Sequence, residues 1–206
     1  MLRAAPESTP GPEETETKAD LMDLLGFLTD LQTVERRIYP PALDRYENDT
    51  EHSYNLAMAA WLIVSREKLP LDVNLVIKYA LVHDLVEVYA GDTFAFDDEA
   101  AEDKAAREHA AMRRLREDES TAGFAASAEE YEKLDNEESR FVYGLDKLMA
   151  AFTVLHGHVP IWRENGVTRE AFVDRFEAKV GKSAYLKPYW EKCLRLLDEN
   201  PSLLAA

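Results

Sequence analysis

A chain of 206 residues is long enough for one all-helical domain with a well-buried core and too short for two. Its 24 Lys and Arg stand against 40 Asp and Glu, a formal net charge of −16. That balance excludes a nucleic-acid backbone as partner, because a phosphate polyanion needs cations to displace its counter-ions, but it leaves room for a small phosphorylated ligand beside a bound divalent ion.

Residues 1–18 (MLRAAPESTPGPEETETK) are rich in Pro, Glu and Thr without an apolar period, and read as a disordered acidic tail. From Ala19 the pattern changes. Leu21, Leu24, Leu25, Leu28 and Leu31 recur at helical spacing and predict a first helix running toward Arg36 and Arg37, ended by Tyr39-Pro40-Pro41. A loop over 42–49 leads to Thr50, an N-cap for the helix EHSYNLAMAAWLIV. Pro70 stops that helix. Asp72 caps the next, VNLVIKYALVHDLVEVYA, and Gly91 ends it, leaving Asp92 and Thr93 in the turn.

Residues 97–117 read as an exposed helix with a thin apolar stripe of Ala105, Met112 and Leu115. The small residues of 118–127 read as a loop, and 128–156 as the longest helix. A loop over 157–166 follows, then a short helix capped by Thr168 and a last one with Pro188 near its start and its end near Asn200. No stretch alternates as a strand would. The fold class is all-α, with residues 19–206 forming one domain.

Cys193 is the sole cysteine, so an intramolecular disulfide and a cysteine-based zinc site are excluded, which fits a reducing cytoplasm. No window approaches ~18 consecutive apolar residues, so no membrane span is expected. The N-terminus lacks the basic start and apolar core of a signal peptide.

Three segments offer metal-binding residue types: His52, the adjacent pair His83-Asp84, and Asp146. In the third helix Val76, Ile77, Ala80, Leu81, Leu85 and Val88 form the core face, so His83 and Asp84 interrupt an apolar helix. Burying an unpaired carboxylate or imidazole costs several kcal/mol, and a divalent cation compensates. Asp146 is likewise the lone acid of an apolar run, with Lys147 beside it, and His52 lies in the first turn of its helix. Singly, such a histidine is most often hydrogen-bonded in a core and such an aspartate ion-paired. The set on separate helices carries the argument. Two imidazoles and two carboxylates suit Mn, Co, Fe, Ni or Zn. His109 reads as a surface residue, His156 and His158 as loop residues, and Trp61, Trp162 and Trp190 as core or lid aromatics.

The order H…HD…D, with the pair inside ALVHDLVEVYAGD, resembles the HD superfamily of metal-dependent phosphohydrolases. More narrowly it resembles the 5′-deoxynucleotidase branch, whose members share a helix of the form HDxxExxxGD. The likeness spans residues 30–156, through ENDTEHS around His52, LVHDLVEVYAGD, and GLDKL around Asp146. It implies an HD-domain helical bundle holding one divalent metal ion (Mg joins the metals named above) on His52, His83, Asp84 and Asp146. It also implies hydrolysis of a small phosphorylated substrate, a (deoxy)nucleoside 5′-monophosphate, and a homodimer.

Further roles follow from the same resemblance. Glu87, four residues after His83 and so on its face of the helix, would manage the proton of the attacking water or leaving group. Asp92 matches an acid that contacts the sugar, although Asp after Gly is also ordinary turn chemistry. Arg37 matches an arginine that binds substrate phosphate, with Arg36 adjacent as the other candidate. Ile38 departs from the bacterial pattern, which has tryptophan there. Two other readings are a degenerate HD domain that binds nucleotide without hydrolysis, and an HD-type di-iron oxygenase. The latter needs extra histidines between the HD pair and Asp146, where only His109 lies.

Overall fold

The computed structural model describes residues 21–41 and 43–206, so the acidic tail over 1–18 lies outside the described residues. Within them every regular element is helical, and the only strand-like features are isolated bridges.

Helix α1 (Leu21–Leu31) stops short of Arg36. Thr33 Oγ1 turns back to the Asp30 carbonyl at 2.7 Å, and from Val34 the backbone finds partners across the chain instead. Arg36 N–H donates to Glu47 O (2.9 Å), Glu47 N–H to Ile38 O (3.0 Å) and Asp49 N–H to Val34 O (3.1 Å). Arg36 and Arg37 therefore stand on an extended segment, where neighbouring side chains point to opposite sides. Arg36 turns inward, its side chain 11% exposed, and Arg37 outward.

Helix α2 (Asp49–Glu67) is capped by Asn48 rather than Thr50. Asn48 Oδ1 accepts from Glu51 N–H at 3.0 Å and Glu51 Oε2 from Asn48 N–H at 3.2 Å, a reciprocal capping box that satisfies two donors where Thr50 offers one. The earlier start brings Asp49 into the first turn with His52. Helix α3 (Val73–Val82) begins at the expected cap, Asp72 Oδ1 accepting from Asn74 and Leu75 N–H.

That helix does not run on to residue 90. His83–Val86 form turns before a single-turn α4 (Glu87–Ala90). His83 Nδ1 bonds the Ala80 carbonyl at 2.9 Å, and the next backbone bonds tighten to three-residue spacing, Leu85 N–H to Val82 O and Glu87 N–H to Asp84 O. Gly91 ends α4 at φ 75°, as expected of a left-handed stop.

The charged stretch divides into α5 (Asp98–Ala101) and α6 (Lys104–Glu117), which buries Ala111 and Leu115 while Ala105 stays exposed. The expected loop over 118–127 is mostly α7 (Ala122–Glu132), whose small residues Ala125, Ser127 and Ala128 form a buried face with Tyr131. Small side chains let it lie close against its neighbours, and for the same reason they give no apolar period. The long helix is α8 alone (Glu137–Gly157): Leu134 at φ 50° breaks the run and Asn136 caps anew, its Oδ1 accepting from Ser139 N–H at 2.8 Å. A short α9 (Ile161–Glu164), α10 (Arg169–Val180) behind its Thr168 cap, and α11 (Lys187–Glu199) complete the chain.

Helix α8 runs through the core against α2, α3, α10 and α11. A Cβ on Gly144 would lie 2.6 Å from Leu186 Cδ1 and 3.2 Å from Val180 Cα, so glycine there admits α10. Phe172 stacks on Trp190 at 5.8 Å between centroids, with Trp162 and Phe176 tilted against it. Trp61 departs from its expected place and is exposed on α2 with Tyr54, Met58 and Leu62. Cys193 is wholly buried, which pushes its thiol up to about 12. No described helix is long and apolar enough to cross a membrane.

Candidate metal centre

Three elements meet beneath one cavity: the first turn of α2 brings His52, the turns between α3 and α4 bring His83 and Asp84, and α8 brings Asp146. His52 Nε2 lies 2.9 Å from Asp146 Oδ1, and His83 Nε2 lies 2.9 Å from Asp84 Oδ2. One donor atom from each of His52, His83 and Asp146 falls within 4.8 Å of the other two. Asp84 joins an adjoining group at the same spacing with Asp49 and Glu87.

Both histidines aim Nε2 inward and are held from behind. His83 Nδ1–H points at the Ala80 carbonyl, and His52 Nδ1 lies 3.4 Å from Glu47 Oε1. Such backing fixes ring and tautomer in metal sites. His83 Nε2 faces the Asp84 carboxylate. That nitrogen is buried without a hydrogen-bond partner, as is Glu87 Oε2. A buried, unpartnered imidazole nitrogen beside carboxylates suits a cation. The cluster can hold a divalent ion, whose identity the N/O donors leave open.

The electrostatics are those of crowded acids. Burial and the Arg36 charge act to lower the His52 imidazole, but Asp146 and Glu47 outweigh them and lift it to about 9. Burial and the Asp84 charge raise Asp49 to about 7, against the pull of Arg36. Burial, then Asp84 and Asp49, hold the Glu87 carboxyl well above its ordinary range. Arg36 threads the group, with Nη1 2.5 Å from Asp84 Oδ2 and 3.3 Å from Asp49 Oδ1, and Nη2 3.7 Å from Asp146 Oδ1. Lys147 Nζ caps Asp146 Oδ2 at 2.5 Å.

A cavity of about 410 Å³ opens over these residues. Arg36, His83, Asp84, Glu87, Asp92 and Asp146 line it, together with the apolar Phe96, Ile161, Trp162 and Phe176. Arg107 fixes the loop carrying Asp92: Nη1 reaches the Ala90 carbonyl and Nη2 bonds Thr93 Oγ1 at 3.0 Å. Burial raises the Asp92 carboxyl, with Arg36 opposing.

The structure thus gathers every sequence-derived candidate at one place, with His52 behind Asp146. Arg37 lines the same cavity but from an exposed position and makes no ion pair among the described residues, whereas Arg36 holds the carboxylates. Glu47 and Asp49 were missed because they read as loop acids. The signal was Asn48 with Glu51 three residues on, which puts Asp49 one turn before His52 on the same face. His109 is exposed on α6, apart from both donor groups.

The comparisons agree with this frame. The model of a family described as HD domain matches residues 28–186. The crystal structure of a predicted metal-dependent phosphohydrolase from Magnetospirillum magnetotacticum MS-1 is 29% identical, with a TM-score of 0.77, covering 90% of this chain and 94% of that one. A conserved hypothetical protein from Pyrococcus furiosus is 21% identical at TM-score 0.59, over 84% of this chain and 99% of its own, and shares the fold. So does a protein of Pyrococcus horikoshii OT3, 19% identical at TM-score 0.56, over 86% and 99%. No match was found among curated proteins. With the paired histidine and aspartate at the helix break, and a family match over most of the folded residues, the chain belongs to the HD domain family.

Proposed function

We propose that the chain is a metal-dependent phosphohydrolase releasing phosphate from (deoxy)nucleoside 5′-monophosphates in the cytoplasm. Its metal ligands in this reading are His52, His83, Asp84 and Asp146. The observation that carries it is the buried, unpartnered His83 Nε2, 2.9 Å from Asp84 Oδ2, among residues lining a cavity that also takes in Arg36. The description of the Magnetospirillum protein as a predicted metal-dependent phosphohydrolase supports the reaction class.

A divalent cation at such a site supplies Lewis acidity, acidifying water and drawing charge from a phosphate oxygen. The chain supplies the rest. Arg37 offers its guanidinium fork to the phosphoryl oxygens from the mouth, while Arg36, held among the carboxylates, adds its charge beneath. The oxygen of water bonds to phosphorus as the ester bond breaks. Glu87, its carboxyl raised by burial, is suited to hand a proton to the departing alkoxide and to regain one from the attacking water. Asp92 accepts from a sugar hydroxyl, and the apolar side chains of the lining take the base. A homodimer belongs to the same reading, supported by the exposed Tyr54, Met58, Trp61 and Leu62 on α2.

The test is a phosphate-release screen over nucleoside monophosphates and other phosphate esters with several divalent metals. His83→Ala or Asp84→Ala should abolish both metal binding and turnover. Glu87→Ala should keep the metal and lose about 10²–10⁴-fold in kcat. Full activity of a metal-free Asp84→Ala protein would sink the reading, and nucleotide binding without phosphate release by the wild type would favour a non-hydrolytic HD domain.

A further inference from the structure

Lysines also line the cavity, in a chain of net charge −16. Lys104 on α6, Lys147 on α8 and Lys179 on α10 all line it, and Arg175 stands one turn before Lys179. Three of these four cations are neutralised: Lys147 by Asp146 at 2.5 Å, Lys104 by Glu108 at 3.3 Å, and Arg175 by Asp98 at 2.6 Å. Lys179 is not. It makes no ion pair among the described residues, and its Nζ lies 5.8 Å from the Phe176 ring centroid.

A half-buried ammonium among other cations is unfavourable unless an anion relieves it. Burial, then the positive charges of Lys147, Arg175 and Lys104, push Lys179 down to about 8, consistent with a cation lacking its counter-ion. With 40 acidic residues in the chain, a carboxylate partner was available in composition and is not supplied in place. The scissile phosphate, in the reading above, sits with Arg36, His83 and Asp84. Lys179 stands on α10, which supplies none of those residues, and in that reading it would meet the leaving group. The cavity volume of about 410 Å³ falls in the range of sites that hold whole small ligands.

We propose that Lys179, flanked by Lys104 and Arg175, forms a second anion subsite, so that the preferred substrate is a phosphomonoester whose leaving group carries another phosphate. A nucleoside bisphosphate is the fitting class. The proposal rests on the phosphohydrolase reading for which phosphate is cleaved, but its binding test does not.

Calorimetric titration of the full chain, in the Glu87→Ala background to hold back turnover, would compare 5′-AMP with adenosine 2′,5′- and 3′,5′-bisphosphate. At least one bisphosphate should bind about ten- to a hundredfold more tightly than the monophosphate. Lys179→Met should erase that preference and Lys179→Arg should retain it, with circular dichroism checking that both variants fold. Equal affinity for the two classes overturns the subsite. So does a parallel loss for both in Lys179→Met, or no binding of any probe. A Lys179-dependent preference without phosphate release from any ester would count against the hydrolase reading alone.

Discussion

Arg36 balances the charge of the site, and its neighbour Arg37 does not. Removing the Arg36 guanidinium leaves the carboxylates of Asp84 and Asp49 facing each other with Glu87 close by. Breaking a buried charge cluster by deleting one partner costs about 3–5 kcal/mol. At roughly 2–4 °C per kcal/mol for a chain of this size, Arg36→Ala should lower Tm by about 6–20 °C in the ion-free protein. Arg37→Ala should leave Tm nearly unchanged while raising KM for phosphate esters. Equal Tm losses in a thermal scan of the two variants would reverse their roles. The sequence placed one of these arginines at the phosphate but could not say which turned inward. That depends on whether the segment is helix or extended chain, and the answer lies in backbone bonds to residues 47–49, which no local propensity encodes.

Among the elements, some caps were legible, while the Asn48 and Asn136 caps and the helices shaped by packing were not. Asp72, Thr168 and Gly91 act where side-chain chemistry puts them. Helix α7 was hidden because its buried face is built from Ala and Ser, which carry no hydrophobic period yet pack at short range. The break at His83 was hidden because the apolar pattern continues through it, while the imidazole bonds the carbonyl of Ala80. Gly144 belongs to the same class. Nothing beside it in sequence announces that α10 must pass within van der Waals contact two residues from Asp146. Gly144→Ala should therefore destabilise by about 1–3 kcal/mol despite alanine's better helix propensity. It should also weaken metal affinity by displacing α8. A rise in Tm for this variant would contradict the packing account.

Across the whole molecule, the candidate donors come from residues 52, 83, 84 and 146, on segments that only the folded chain assembles. Cation binding is then folding free energy. At a metal concentration about a hundredfold over Kd the gain is roughly 2.7 kcal/mol, so a chelator should lower Tm by about 5–10 °C. A Tm indifferent to chelation, measured by calorimetry, would mean that the site is not loaded or does not form. The acidic surface works in the same direction by concentrating cations around the protein.

The sole thiol offers a way to follow this linkage without heating. Cys193 lies on the buried side of α11 within the main core, with no exposed surface and a thiol held protonated by burial. An alkylating reagent can reach it only when that layer opens, so the labelling rate is a clock wound by the molecule's own rare excursions from the native state. One unmodified thiol, on a helix that supplies none of the donors, would report how firmly a bound cation keeps the bundle shut.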